Sequence, residues 1–224
     1  MKKILLGAFG AAIATAAAPA SAAVVLCSGA NCVQSDENVL VNAGTAATIV
    51  GNTNQSDVGV TFTSTIDSSL VGTAGGQASV GSADGLLNSL TFSLQNGFGF
   101  TSALFNLFPL SGNRANEAES VVITALTSTG LSLTATTAIG TNGQNFIGLT
   151  GNAGEIFTSI TFTGNPATTG ISDLRQLRLD GVQSLNTTAP VPEPSTWAMM
   201  LLGMLGIGAS LRARRVNGAK LTYA

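Results

Sequence analysis

The chain has 224 residues with 9 basic and 11 acidic side chains, a formal net charge of −2, and no histidine. The lack of histidine excludes Ser-His-Asp and Cys-His catalytic arrangements and histidine-ligated metal sites. Residues 23–190 alone hold ten acidic and three basic side chains, and nucleic-acid phosphates would repel so acidic a body. We therefore expect no enzyme, no cofactor, no metal site and no nucleic-acid partner.

Residues 1–22 have the order of a secretory signal peptide. Lys2 and Lys3 precede an apolar run, and Ala20 and Ala22 form a small-residue cleavage site. The alternative is a retained membrane helix, which the short, alanine-rich run disfavours. We expect cleavage before Ala23 and export of the rest of the chain.

The chain has two cysteines, Cys27 and Cys32. Export delivers them to an oxidising compartment, so we expect them to form a disulfide that staples the new N-terminus. A ring this small stabilises the fold by about 2 kcal/mol in the chain-entropy model. A redox or metal site is the weaker alternative, because the chain has no histidine and the two cysteines are separated by four residues rather than two.

Residues 23–185 are predicted to form one all-β domain, an antiparallel β-sandwich or jelly roll of nine or ten strands. Apolar residues alternate with Thr and Ser in several segments, which is typical of half-buried antiparallel strands. Glycine-bearing turns separate these segments at the spacing of a sandwich. The alternating segments are residues 58–66, 89–95, 131–139, 159–164 and 177–182.

Residues 98–110, FGFTSALFNLFPL, are the most apolar part of the body. Their phenylalanines follow no single period. We expect a strand that is buried on both faces and interrupted by a bulge. An exposed adhesive patch is the alternative.

The carboxylates of the body leave two functional alternatives open. Glu117 and Glu119 are two residues apart and would share one face of a strand, as a glycoside hydrolase pair could. Asp173 and Asp180, together with Glu155, offer oxygen ligands for calcium. The alternatives are a solvated loop for Glu117 and Glu119, a turn cap for Asp173 and a turn dipeptide for Asp180 and Gly181. The body has neither Trp nor Tyr, the usual aromatic platforms for sugars.

The C-terminal part is predicted to be a linker followed by a membrane helix. Residues 186–194 are proline-rich, and Pro192 and Pro194 favour an extended strip. Residues 196–211 carry no charge and are predicted to cross the inner membrane, with the basic cluster 212–215 in the cytoplasm. The body would then lie outside the inner membrane. A buried amphipathic helix is the alternative, but the segment has no polar face.

The order of these features over residues 191–215 resembles the PEP-CTERM sorting signal of Gram-negative bacteria. The residues that carry the resemblance are Pro192, Glu193, Pro194, Trp197, Ala198, Arg212, Arg214 and Arg215. The resemblance implies initial anchoring in the inner membrane, recognition and cleavage by an exosortase-like protease, and delivery to the cell surface or beyond. It also implies association with exopolysaccharide and biofilm. The nine residues after the arginines are a longer tail than such signals usually have.

Residues 145–164 and 171–182 resemble the last strands of many PEP-CTERM ectodomains, which are similar to lectin or jelly-roll sandwiches. We therefore expect an exported surface or matrix protein with a structural, exopolysaccharide-associated role. The alternative is a lectin-like carbohydrate-binding module assisted by calcium.

Overall fold

A computed structural model describes residues 24–75, 78–111, 114–185 and 194–217. The predicted signal peptide, with Ala20, Ala22 and Ala23, lies outside these residues, as do Pro192 and Glu193. The described residues form sixteen strands, one α-helix and two single-turn 3₁₀ helices. The strands are β1 Val24–Ser28, β2 Glu37–Val41, β3 Gly44–Ala46, β4 Thr48–Thr53, β5 Gly59–Thr63, β6 Leu70–Gly72, β7 Ser79–Ser82, β8 Ser89–Leu94, β9 Phe98–Gly99, β10 Ser102–Phe108, β11 Ser120–Thr127, β12 Ser132–Ala138, β13 Phe146–Gly151, β14 Phe157–Asn165, β15 Asp173–Asp180 and β16 Gln183–Ser184; the helices are α1 Pro194–Asn217 and the 3₁₀ turns Arg114–Asn116 and Asn152–Gly154.

The strands form an antiparallel sheet that nearly closes on itself. Eleven of them follow one path in the order β1-β13-β10-β15-β2-β4-β5-β8-β14-β11-β12, and β7, β6 and β3 extend from β15 as a side ribbon. Strand β2 pairs with β15 through Arg178↔Asn38 and with β4 through Val39↔Thr53, so it joins the two halves of the sheet. The predicted all-β antiparallel domain is confirmed. Its assignment as a sandwich or jelly roll stays a prediction, because β2 links both halves into one hydrogen-bonded path.

Phenylalanine side chains fill the space between the two halves of the sheet. The ring of Phe92 on β8 lies 5.6 Å from that of Phe105 on β10, 6.1 Å from Phe100 and 6.5 Å from Phe62. All four side chains are fully buried. Burial of a large apolar side chain contributes roughly 1.5–3 kcal/mol, so this cluster is a main source of the domain's stability.

All five alternating segments form strands, namely β5, β8, β12, β14 and β15. The predicted strand over 58–66 ends earlier, at Thr63, because the hydroxyl oxygen of Ser64 accepts hydrogen bonds from the backbone amides of Ile66 and Asp67. Such a turn competes with strand pairing. The structure has more strands than predicted because several, including β3, β6 and β9, are only two or three residues long.

The apolar run 98–110 forms β9 and β10, and residues 102–107 are all buried. The doubly buried strand is therefore confirmed, and the alternative of an exposed adhesive patch is wrong for these residues. The register between β10 and β15 shifts between Leu104↔Arg178 and Asn106↔Arg175. The extra residue lies on the partner strand β15, where Gln176 has a φ of 57°, so the predicted bulge is in β15 rather than in the apolar run.

The C-terminal helix α1 runs over 24 residues, longer at both ends than the predicted 196–211. Pro194 begins this helix instead of ending an extended strip, which is favourable because the first turn needs no amide donor there. The predicted membrane span is not supported, since no helix among the described residues is both long and apolar enough to cross a bilayer.

Candidate functional site

The start of the described chain is fixed by a disulfide. Cys27 on β1 and Cys32 in the following turn are bonded, with 5.9 Å between their Cα atoms, as the sequence predicted. Cys27 lies directly opposite Gly148 on β13. A Cβ atom on Gly148 would come within 2.7 Å of the Cys32 Sγ and 2.8 Å of the Cys27 Sγ. Gly148 therefore provides the space in which the disulfide packs against β13.

Glu117 and Glu119 line one cavity of about 410 Å³ at the entry to β11. The chain is held there by long-range backbone contacts. The amide of Ala118 donates to the carbonyl of Gly170 at 2.9 Å, and the amide of Ile139 donates to the carbonyl of Glu119 at 2.9 Å. The cavity is lined by Ala115, Glu117, Ala118, Glu119, Ile139, Thr141, Asn165, Pro166 and Thr169.

This cavity combines carboxylate, amide and hydroxyl groups, which are hydrogen-bonding partners for a polyol. Glu117 is half-buried, whereas Glu119 is exposed. The sequence placed the two glutamates together, and the structure adds Asn165 and Thr169 from the far end of β14 and the loop after it. The approach of Asn165 and Thr169 to the two glutamates could not be predicted from the spacing of residues in the sequence. It depends on the pairing of residue 117 with Gly170.

The predicted calcium ligands do not come together. Asp173 and Asp180 are the first and last residues of β15, which places them about 23 Å apart at the rise of an extended strand. The carboxylate of Asp173 is instead paired with Arg175 and accepts a hydrogen bond from the Ser172 hydroxyl at 2.9 Å. Among the described residues, no group of three or more His, Cys, Asp or Glu side chains is placed to hold a metal.

The sequence did not single out Arg175, which lies in a groove of about 450 Å³ beside β7. Its guanidinium carbon lies 3.6 Å above the centre of the Phe108 ring. The hydrogen bond with Asp173 raises the pKa of Arg175, although burial opposes this shift. Asp173 and Arg175 are two residues apart on β15, and this spacing was the sequence signal that could have predicted their pairing. Ion pairing with Asp173 and stacking on the Phe108 ring both engage this cation.

The sorting segment forms an exposed helix. Trp197 and Ala198 lie near the start of α1, and Arg212, Arg214 and Arg215 lie in its last part. The large apolar side chains described between them are 57–70% exposed: Met199, Met200, Leu201, Leu202, Met204, Leu205 and Ile207. An exposed apolar helix with arginines in its last part presents a surface that a membrane protein or a lipid surface can recognise.

Residues 190–215 match the PEP-CTERM protein-sorting motif. The match spans all eight residues that the sequence analysis assigned to a sorting signal, and it confirms that resemblance. No curated protein matches the chain. The motif supports an exported PEP-CTERM protein that is held at a membrane, sorted by exosortase and processed.

Proposed function

We propose that this PEP-CTERM protein is a structural component of the cell surface or extracellular matrix that associates with exopolysaccharide. The observation that carries the proposal is the sorting motif on its own structural unit. The chain divides into a unit that ends at Gln183 and a second that begins at Ser184, and the motif begins at residue 190. A cut within residues 186–193 would remove α1 and leave every described strand intact.

Export begins in this proposal with a signal peptide at residues 1–22, cleaved before Ala23. The Cys27–Cys32 disulfide supports export, because structural disulfides persist in oxidising compartments. The product would be a disulfide-stapled, acidic β-domain. It acts by its presence and its contacts rather than by catalysis, in agreement with the lack of histidine in the chain.

A second candidate function is lectin-like binding of a small saccharide in the cavity of Glu117 and Glu119. The oxygen and amide groups of its lining favour this candidate. The Glu117→Gln/Glu119→Gln variant distinguishes the two roles. A lectin site predicts loss of oligosaccharide binding in calorimetry, whereas the structural role predicts equal heats for both proteins.

The sorting step on which the structural role depends is tested by changing the motif in the native host. The variant Pro192→Ala/Glu193→Ala/Pro194→Ala should accumulate uncut in the membrane fraction, while the unaltered protein appears shortened at the cell surface. Ser195→Ala, just outside the triplet, is the matched control and should behave like the unaltered protein. Identical size and location of the triplet variant and the unaltered protein would remove the basis of the proposal.

A further inference from the structure

Six neighbouring strands of the domain contain no charged residue: β4, β5, β8, β14, β11 and β12. Half-buried strand positions elsewhere do carry charge, for example Glu37 on β2 and Arg178 and Asp180 on β15. Soluble proteins usually intersperse charges over their surface. In a body with ten acidic side chains, a charge-free surface six strands wide is therefore a distinct feature. We call the outward side of these strands the uncharged face.

A row of threonines crosses the whole uncharged face. The strand registers place them directly opposite one another in the order Thr48, Thr63, Thr91, Thr161, Thr124 and Thr134. The residues that precede or follow them along the strands, such as Phe62, Phe92 and Ile123, are buried in the core. The threonines thus point outward, with Thr48 and Thr134 exposed at the two sides and the middle four half-buried.

Two further rows lie beside the first. One runs through Val50, Thr61, Ser93, Ser159, Leu126 and Ser132. The other runs through Thr163, Val122 and Thr136, and the buried Ser89 lies at its end. Neighbouring rows are separated by two residues, about 6.8 Å, and neighbouring strands by about 4.8 Å. Hydroxyls bond across strands at 2.8 Å between Thr91 and Thr161 and at 3.1 Å between Ser89 and Thr163.

We propose that the uncharged face binds an uncharged polysaccharide. This inference rests on the proposed matrix role and names the surface and the chemical class of its partner. Hydroxyls on the face can donate to and accept from sugar hydroxyls, and the threonine methyls can pack against sugar C–H groups. No charge on the face has to be desolvated for this contact. An acidic polymer would instead be repelled by the net negative charge of the body.

The shape of the face favours a flexible chain over a single sugar or a crystal plane. The six strands carry no Trp or Tyr, so no ring platform fixes one sugar. Each contact is weak, and affinity must come from many contacts along one polymer. Adjacent strands of a sheet rotate by about 20–25°, and a flexible chain can follow this twist whereas a rigid lattice cannot.

The test is co-sedimentation of the full chain with insoluble β-1,3-glucan, and affinity electrophoresis in dextran and in acidic alginate. The face variant is Thr91→Val/Thr124→Val/Thr161→Val, which keeps shape and strand preference but removes three hydroxyls. The control variant, Thr45→Val/Thr73→Val/Thr150→Val, changes three threonines outside the face. Circular dichroism melting establishes that both variants are folded.

We expect the unaltered protein and the control to bind at least one neutral polymer and not alginate. The face variant should bind at least about tenfold more weakly, because three hydrogen bonds of modest net value are lost. If the face variant is unfolded, single Thr161→Lys replaces it and should also weaken binding. Each of these results supports the proposal.

Equal binding by the face variant, or binding to neither β-1,3-glucan nor dextran, would overturn the inference. So would concentration-dependent self-association in sedimentation velocity that the face variant abolishes, since the face would then serve a second copy of the chain. The assay uses purified protein and does not depend on processing. A negative sorting experiment therefore leaves the binding result valid, and a negative binding experiment leaves the sorting result valid.

Discussion

Asp67 is a carboxylate with only 8% of its surface exposed. It accepts hydrogen bonds from the Ser64 hydroxyl at 2.9 Å and from the backbone amides of Asn88 and Ser89 at 3.1 and 3.0 Å. The side chain thus ties the turn after β5 to the start of β8, and no sequence motif marked it. Charge-assisted hydrogen bonds of this kind are stronger than neutral ones, so the strand entry depends on this residue.

We predict that Asp67→Ala lowers the free energy of unfolding by about 3 kcal/mol, because it leaves two buried amides without an acceptor. Urea unfolding followed by circular dichroism measures the change. Asp57→Asn is the control. Asp57 is exposed with a φ of 53°, and asparagine tolerates that conformation, so a change below about 0.5 kcal/mol is expected. Equal effects of the two substitutions would refute the role of Asp67.

Glu37 makes a pH-dependent contribution to the stability of the fold. Burial acts to raise the pKa of Glu37, but hydrogen bonds from the amide and hydroxyl of Ser56 outweigh it and leave the pKa below its ordinary value. The ionised carboxylate therefore stabilises the fold. This contribution is complete above the unfolded pKa of about 4.3 and is lost as the pH falls through the lower folded value.

Glu37→Gln should accordingly lower the melting temperature at pH 7 and make less difference at pH 3. Melting curves between pH 3 and 7 test this, with Glu119→Gln, an exposed carboxylate, as the control. If Glu37→Gln lowered the melting temperature equally at pH 3 and pH 7, the stabilising role of the ionised Glu37 would be contradicted.

At the scale of elements, β1 depends on its disulfide and on β13. It lies at one end of the strand path and pairs with β13 alone among the described strands. We predict that Cys27→Ser/Cys32→Ser costs about 2 kcal/mol, the chain-entropy value for a small ring. Urea unfolding with and without a thiol reductant checks this. The unaltered protein should lose stability on reduction, and the double variant should show no response to reductant. Unchanged stability in the double variant would mean that strand pairing alone holds β1.

The alternation of apolar and polar residues was sufficient to predict the longer strands but not to predict the shorter ones. Strands β8 and β14 are visible in sequence because each buries one face, and β12 is visible because alternate side chains are half-buried and exposed. Strands β3 and β6 have three residues each and exist because they pair with each other. The bulge was expected from the aperiodic phenylalanines, but which strand holds the extra residue depends on register, which local sequence does not encode.

The candidate sites, too, could be predicted only where their residues are close together in the sequence. The disulfide and the sorting motif are local in sequence, and both were predicted. The cavity of Glu117 and Glu119 gains Asn165 through pairing of distant segments, and the separation of Asp173 from Asp180 follows from their lying at opposite ends of one strand. The row of threonines requires the registers of five strand pairs, so no single segment could reveal it.

For the whole molecule, the proposed processing requires that the β-domain is kept and the C-terminal helix is removed. The β-domain has its own core and its own disulfide, and the helix that follows it presents apolar side chains to solvent. An exposed apolar helix is a liability in a finished secreted protein and is suited to a segment that is recognised and then removed. Processing between the two parts is therefore the central claim.

The intact mass of the protein recovered from its host, with both termini read by mass spectrometry, tests this claim most directly. The account predicts a chain that begins at Ala23 and ends near residues 192–194, with the mass lowered by two hydrogen atoms for the disulfide. A mature chain that still ends at Ala224 would contradict it, because the C-terminal helix would then be a permanent part of the protein and not a processed signal.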